Sequence, residues 1–245
     1  MQTNWLEEDV SHQFDFYDDY LENRLGYQPL INDLINTLGS EISVLDYGCG
    51  GGKVSRRLLI KGISKVTGVD ISATMVAKAS EHPERGNSCY QQVQSGLLPF
   101  ADGVFDAAVC CYVFINNSDK GELLRIAKEA FRTLKSGAVF YILDTNPDSI
   151  GIQFSSFKNG ESGVVYGDGA TRPVYLDLPD GNSFKIIDTH WEKQTYRDVL
   201  REAGFSDVQV FEHREGEVTA ADDETVIGEN EQQWAPFVMF KSIKP

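Results

Sequence analysis

Short apolar runs alternate along this chain with stretches whose apolar residues recur at helical spacing. Ile42 to Asp46 reads as a buried strand closed by glycines, and Val54 to Ile60 continues with helical periodicity. Lys65 to Asp70 repeats the strand pattern, and Ser72 is an N-cap candidate ahead of a helix through Met75 and Ala79. A weaker strand follows near Ser88 to Val93, then an apolar run from Phe105 to Phe114. An amphipathic helix from Gly121 to Leu134 and a strand from Ala138 to Asp144 come next. After a long interval, Lys193 to Ala203 reads as a helix stopped by Gly204, with strands at Val208 to Phe211 and Phe237 to Phe240. Strand and helix in alternation predict an α/β fold: a doubly wound, mostly parallel, seven-stranded sheet with an antiparallel last strand.

Two stretches depart from this alternation. Residues 145–192 contain two alternating segments, Pro173 to Leu178 and Ser183 to Asp188, about a Pro179-Asp180-Gly181-Asn182 turn. This is a β-hairpin inserted after the fifth sheet strand. Residues 212–231 form a long acidic loop before the last strand. One domain over 1–245 is expected, with an N-terminal helical lid (1–36), a core (37–144), the insertion (145–192) and a C-terminal part (193–245).

Composition narrows the possible partners. The 245 residues are 41% hydrophobic and 11% aromatic, enough for one well-cored domain. Against 22 Lys and Arg stand 37 Asp and Glu, a formal charge of −15, which disfavours binding to a nucleic-acid backbone. Most of the excess lies in residues 1–30 and 212–231, where Arg24 and Arg214 are the lone basic residues. No apolar run approaches the roughly 20 residues of a membrane helix, and the N-terminus lacks signal-peptide form. The chain therefore reads as cytoplasmic, a monomer or homodimer with no nucleic-acid or membrane partner. Four cysteines, Cys49, Cys89, Cys110 and Cys111, lack metal-ligand spacing; no metal site is expected and all four read as reduced.

Candidate chemistry gathers at Asp46-Tyr47-Gly48-Cys49-Gly50-Gly51-Gly52, where a carboxylate at a strand end precedes glycines that admit a ligand close to the backbone. A nicotinamide-dinucleotide loop would need a third glycine where Lys53 stands. Asp70, at the end of the next strand, is placed to accept hydrogen bonds from a ribose diol.

These motifs, with Leu98-Pro99-Phe100-Ala101-Asp102-Gly103-Val104-Phe105-Asp106 and Leu134-Lys135-Ser136-Gly137-Ala138, resemble the class I S-adenosylmethionine-dependent methyltransferases. The resemblance spans about residues 40–145, and Glu202-Ala203-Gly204-Phe205 is also similar to the family's final turn. It implies that Asp46, Gly48 and Gly50 surround the methionine part of the cofactor, that Asp70 binds the ribose, and that Ile71 and Met75 flank adenine. It also brings Gln94, Ser95 and Cys110 into the cofactor-binding set, Gln94 standing where many members carry an acid. Cys110-Cys111-Tyr112-Val113 replaces the Asn- or Asp-proline motif of amino-group DNA methyltransferases and lacks the acid of magnesium-dependent catechol-type enzymes. In small-molecule methyltransferases of this kind an N-terminal helix closes over the cofactor. Tyr17 and Arg24, near one face of such a helix, would meet its carboxylate; packing for Tyr17 and a surface salt bridge for Arg24 are the alternatives.

The substrate side has weaker signals. His190 is either a general base or a structural hydrogen-bond partner. Asn116 orients the acceptor or caps a loop. Trp191, Tyr166, Tyr175, Phe154 and Phe157 wall an aromatic substrate or belong to the core. Asp144 reads as a polar lip residue. The insertion is similar to that of bacterial small-molecule N- and O-methyltransferases, including those acting on fused nitrogen heterocycles. The resulting expectation is methyl transfer from S-adenosylmethionine to a nitrogen or oxygen of a small molecule, an aromatic or amine-bearing secondary metabolite. A protein or RNA methyltransferase and a catalytically silent cofactor-binding subunit are the alternatives. An acidic rim around the substrate mouth would favour neutral or cationic molecules.

Overall fold

The computed structural model describes Thr3, Val10 and residues 16–81, 87–217 and 228–245. Much of the expected lid (1–2, 4–9 and 11–15) and residues 218–227 of the acidic loop lie outside the described residues. Seven strands form the main sheet: β1 (Ser43–Tyr47), β2 (Lys65–Asp70), β3 (Ser88–Gln92), β4 (Phe105–Cys111), β5 (Leu134–Thr145), β9 (Ser206–Phe211) and β10 (Phe237–Ile243). Their order is β3-β2-β1-β4-β5-β10-β9. β10 runs antiparallel to both neighbours, while β1 to β5 pair in parallel.

Alternate residues of the central strands enter opposite cores, as a sheet covered on both faces requires. Val44, Val66, Ala107, Val109, Tyr141 and Leu143 face one core; Leu45, Val69, Ala108, Cys110, Phe140 and Ile142 face the other. The first core is closed by α2 (Lys53–Ile60) and by the N-terminal helix α1. That helix opens with Tyr20–Glu22, passes through π-helical turns at Asn23–Tyr27 and continues as Gln28–Leu38. α3 (Ala73–Glu81) begins at the expected cap, where Met75 N–H donates to Ser72 Oγ at 3.3 Å. The second core is closed by α4 (Lys120–Thr133) and α5 (Lys193–Ala203), which bury Leu123, Ile126, Ala127 and Ala130, and Tyr196, Val199 and Leu200. Gly204 ends α5 at φ +110°, and a Cβ there would come within 2.9 Å of the Phe131 ring, so this stop admits no side chain.

The inserted hairpin is present as β7 (Thr171–Asp177) and β8 (Ser183–Thr189), with a short third strand, β6 (Phe157–Asn159), on the other side of β7. Its register places Arg172 opposite Asp188, Val174 opposite Ile186 and Leu176 opposite Phe184. These even-numbered positions share one face. A last helix, α6 (Glu229–Gln233), precedes β10. Among the described residues no helix is long and apolar enough to cross a membrane.

Candidate active site

The sheet order reverses between β1 and β4, which opens a crevice at the strands' carboxyl ends. β1 leaves the sheet through Gly48, at φ +76°, where a Cβ would stand 2.3 Å from Val113 Cγ2. Only glycine satisfies both constraints. The turn is held from the next strand: Gly48 N–H and Cys49 N–H donate to Val69 O at 2.8 and 3.0 Å. Asp70 then accepts from Gly50 N–H at 2.9 Å and from Ser72 N–H at 2.8 Å. Each of its oxygens keeps a lone pair beyond these bonds, and burial raises its carboxyl above the usual range.

A cavity of about 280 Å³ occupies the crevice. Gly48 to Gly51, Asp70, Ile71, Met75, Val93 and Ser95 form one wall, and Cys111, Tyr112, Val113, Ile115 and Asn116 a second. The inner face of the small sheet supplies Phe157, Val174, Leu176, Ile186 and Asp188, and the N-terminal segment adds Tyr17, Asp19, Glu22 and Tyr27. Tyr112 is held at φ +57°, a left-handed conformation that few non-glycine residues adopt. Its ring is fixed edge-on between Tyr27 and Phe237, with centroids 5.9 and 5.8 Å away. Asn116 donates from Nδ2 to Tyr112 O at 2.6 Å, and its buried Oδ1 has no partner among the described residues.

Two cavity-lining carboxyls are strongly desolvated. Burial pushes Glu22 up to about 7, against the hydrogen bond its Oε1 accepts from Tyr17 OH at 2.7 Å. Burial likewise pushes Asp188 up to about 6, although Arg172 nearby opposes this. Arg172, 1% exposed, donates its terminal nitrogens to Asn159 Oδ1 and Thr145 Oγ1. Asp144, fully buried, accepts from Tyr196 OH at 2.9 Å. It is thus not the lip residue that its strand-end position suggests.

Gly48, Gly50, Asp70, Ile71, Met75, Ser95, Tyr17 and Asn116 all meet the cavity. Other candidates do not. Asp46 lies beneath the glycine turn, accepting from Ser55 Oγ at 2.6 Å, and burial raises its carboxyl to about 6. Gln94 is exposed and outside the wall that contains Ser95. Cys110 points into the opposite core and Cys111 takes the cavity face, a one-residue difference that exchanges sheet faces. Arg24 is engaged by Glu215, its Nε donating at 2.7 Å, and does not line the cavity.

On the substrate side, Trp191 is core, its indole N–H donating to Asn117 O at 2.9 Å. Tyr175 lies on the outer face of β7 with its hydroxyl on Glu161, 2.6 Å away. Tyr166 packs beside His190, centroids 6.2 Å apart, and Phe154 packs behind Phe157 at 5.1 Å. His190 is buried off the cavity, and desolvation lowers its pKa, so its ring is neutral at pH 7. Glu22, Tyr27, Cys111, Tyr112, Thr145 and Asp188 line the cavity without having been singled out from the sequence. Strict alternation along β8 was the available signal for Asp188.

The described parts of the acidic loop meet both neighbouring segments. Glu215 binds Arg24 on α1, and Asn230 Nδ2 donates to Gln153 O of the insertion at 2.7 Å.

The donor set suits the cofactor implied by the resemblance. Backbone can be approached at the glycines, Asp70 has free lone pairs, and Ile71 (44% exposed) and buried Met75 offer apolar surface beside it. Among the described residues no group of His, Cys, Asp and Glu is arranged to hold a metal ion.

Comparison with known proteins agrees. The family model of the methyltransferase domain matches residues 44–137. The chain is 34% identical over 168 residues to the N-demethylindolmycin N-methyltransferase of Streptomyces griseus, covering 68% of this chain and 70% of that protein. It is 28% identical over 190 residues to the demethylmenaquinone methyltransferase of Lactococcus lactis, covering 73% of this chain and 71% of the relative. A solved Pyrococcus horikoshii structure superposes with a TM-score of 0.63 at 20% identity, over 98% of this chain and 100% of that one, which shows the shared fold. With a relative this similar over most of its length and a glycine turn braced by Asp70, the chain belongs to the class I S-adenosylmethionine-dependent methyltransferases, with S-adenosylmethionine as its cofactor.

Proposed function

We propose that this enzyme methylates a nitrogen or oxygen of a small molecule, an aromatic or amine-bearing secondary metabolite. The observation that carries this reading is one cavity walled both by the glycine turn with Asp70 and by the inner face of the small sheet. A space so enclosed suits a compact acceptor. The name of the Streptomyces griseus relative, an N-methyltransferase acting on N-demethylindolmycin, agrees with it.

S-adenosylmethionine supplies an electrophilic methyl group on a sulfonium. The chain's own residues bind and orient. Gly48 and Gly50 leave the backbone approachable, Asp70 accepts from the ribose hydroxyls, and Ile71, Met75 and Ser95 surround the adenine. Tyr17 closes the cavity from the N-terminal side, its hydroxyl shared between Glu22 and Ser156 at 2.7 and 2.9 Å. Asn116 Oδ1 and the fixed Tyr112 ring orient the acceptor. Displacement at a methyl group requires the incoming lone pair to be in line, so placement supplies much of the acceleration. His190, off the cavity, is a structural residue in this scheme.

The test is transfer of labelled methyl from S-adenosylmethionine to a panel containing N-demethylindolmycin, aryl amines, phenols, a mixed protein extract and transfer RNA. Label on amines or phenols supports the proposal. Label confined to protein or RNA overturns it.

A further inference from the structure

The small sheet presents to the cavity a carboxylate that the fold does not otherwise use. Asp188 is 1% exposed and lines the cavity beside Val174, Leu176 and Ile186, yet neither of its oxygens has a hydrogen-bond partner among the described residues. Its cross-strand neighbour Arg172 is the obvious counter-ion. But the terminal nitrogens of Arg172 donate to Asn159 and Thr145, and its Nε has no partner among the described residues. Arg172 further shares its charge with Asp144, which is equally buried. One guanidinium thus stands between two carboxylates, and the one facing the cavity is not satisfied.

Buried polar groups nearly always find partners, and an unpaired buried carboxylate is costly. Kept on the wall of a ligand cavity, such a group signals a donor that arrives with the ligand. A second carboxylate oxygen on the same cavity, Glu22 Oε2, is likewise buried and has no partner among the described residues. Lys53, also on the cavity wall, lies 3.8 Å from Asp19 Oδ2, on the glycine-turn side. The other small-sheet residues on the cavity wall are apolar: Phe157, Val174, Leu176 and Ile186. An acceptor complementary to this wall has a hydrophobic body and a nitrogen carrying hydrogens.

We propose that Asp188 is the substrate-recognition residue of this enzyme, anchoring an apolar acceptor through an N–H or ammonium group that donates to its two free oxygens. This deepens the small-molecule reading above and rests on it for the role of the anchored molecule. The preference for nitrogen over oxygen concerns this anchoring group and not the methylated atom, whose lone pair must stay free for the displacement, and it follows from the donor count. An ammonium offers three hydrogens to Asp188 and Glu22, whereas a hydroxyl offers one.

The experiment is calorimetry at about pH 8 on the full chain saturated with S-adenosylhomocysteine, using 2-phenylethylamine and its near-isostere 2-phenylethanol. The amine should bind at least about tenfold more tightly than the alcohol, as one charge-assisted hydrogen bond would give. In Asp188→Asn the preference should fall to within about twofold, with affinity for S-adenosylhomocysteine unchanged. Glu22→Gln should reduce the preference only in part. Equal affinity for the two probes in the parent, failure of both to bind, or a preference that survives in Asp188→Asn would each overturn the proposal. Binding is read without turnover. Failure to methylate any small molecule would therefore count against the proposed reaction, whereas the probe preference alone decides the role of Asp188.

Discussion

Replacing Asp188 by Asn should make the empty protein more stable, with a gain that depends on pH. The side chain is buried, its oxygens have no hydrogen-bond partner among the described residues, and burial raises its carboxyl from 3.8 to about 6 despite Arg172. A displacement of roughly two pH units corresponds to about 3 kcal/mol of disfavour for the charged form. The sign follows from proton counts. Between about pH 4 and 6 the folded state holds a proton that the unfolded state has lost, so wild-type stability falls as pH rises through this window and the deficit is complete above it. Asn is isosteric with the protonated acid and carries no such deficit. The variant should therefore match the parent near pH 4 and exceed it at about pH 8 by up to about 3 kcal/mol, or about 6–12 °C in Tm for a chain of this size. Thermal unfolding followed by circular dichroism at both pH values is the assay. A destabilised variant at pH 8, or an equal difference at the two pH values, would show that Arg172 already neutralises Asp188.

Four further outcomes are expected. Asp70→Ala removes the brace on Gly50 and the acceptors proposed for the ribose, and calorimetry should show affinity for S-adenosylhomocysteine reduced by about tenfold or more. Gly48→Ala forces a Cβ to within 2.3 Å of Val113 Cγ2 at φ +76°; a left-handed alanine alone costs about 1–2 kcal/mol, so urea denaturation should show at least that loss together with weakened cofactor binding. Tyr196→Phe removes the hydroxyl donor from buried Asp144 and should destabilise by about 1–3 kcal/mol in the same assay. Arg24→Ala should cost within about 1 kcal/mol and leave affinity for S-adenosylhomocysteine unchanged, because Arg24 is an ion-pair partner of Glu215; a large loss of affinity would restore it to the cofactor's carboxylate.

The main sheet was legible because periodicity reports local patterns. The strand runs, the Ser72 cap, the Gly204 stop and the hairpin about Asp180-Gly181 each announce themselves within a few residues. The glycine-turn wall of the cavity was legible for a related reason: a glycine turn and the acid of the following strand are close in sequence and in space. The opposite wall was not. Its composition depends on which face of a strand meets the cavity, and a single residue separates Cys111 from Cys110, or Asp188 from Ile187. Aromatic residues stood out in the insertion, but Tyr175 points outward and Trp191 is held in the core by Phe114 O and Asn117 O. Arg24 finds Glu215 far along the chain, a pairing that no local spacing announces. The spacing of Tyr17 and Arg24 assumed an unbroken α-helix. The helix instead begins at Tyr20, and its next residues wind as a π-helix.

That π-helical segment, Asn23–Tyr27, amounts to surplus chain accommodated within α1. Each helical residue advances the chain by about 100°. Deleting one residue between Asn23 and Tyr27 would let the turns relax to α-helix and would rotate everything before them by about that angle relative to Gln28–Leu38. Glu22, and Tyr17 with it, would swing off the cavity, while the glycine turn and Asp70 would keep their places. On the proposed reading, acceptor choice is therefore sensitive to a length change in α1, which meets the glycine-turn side through Asp19 with Lys53 and Asn23 with Arg57.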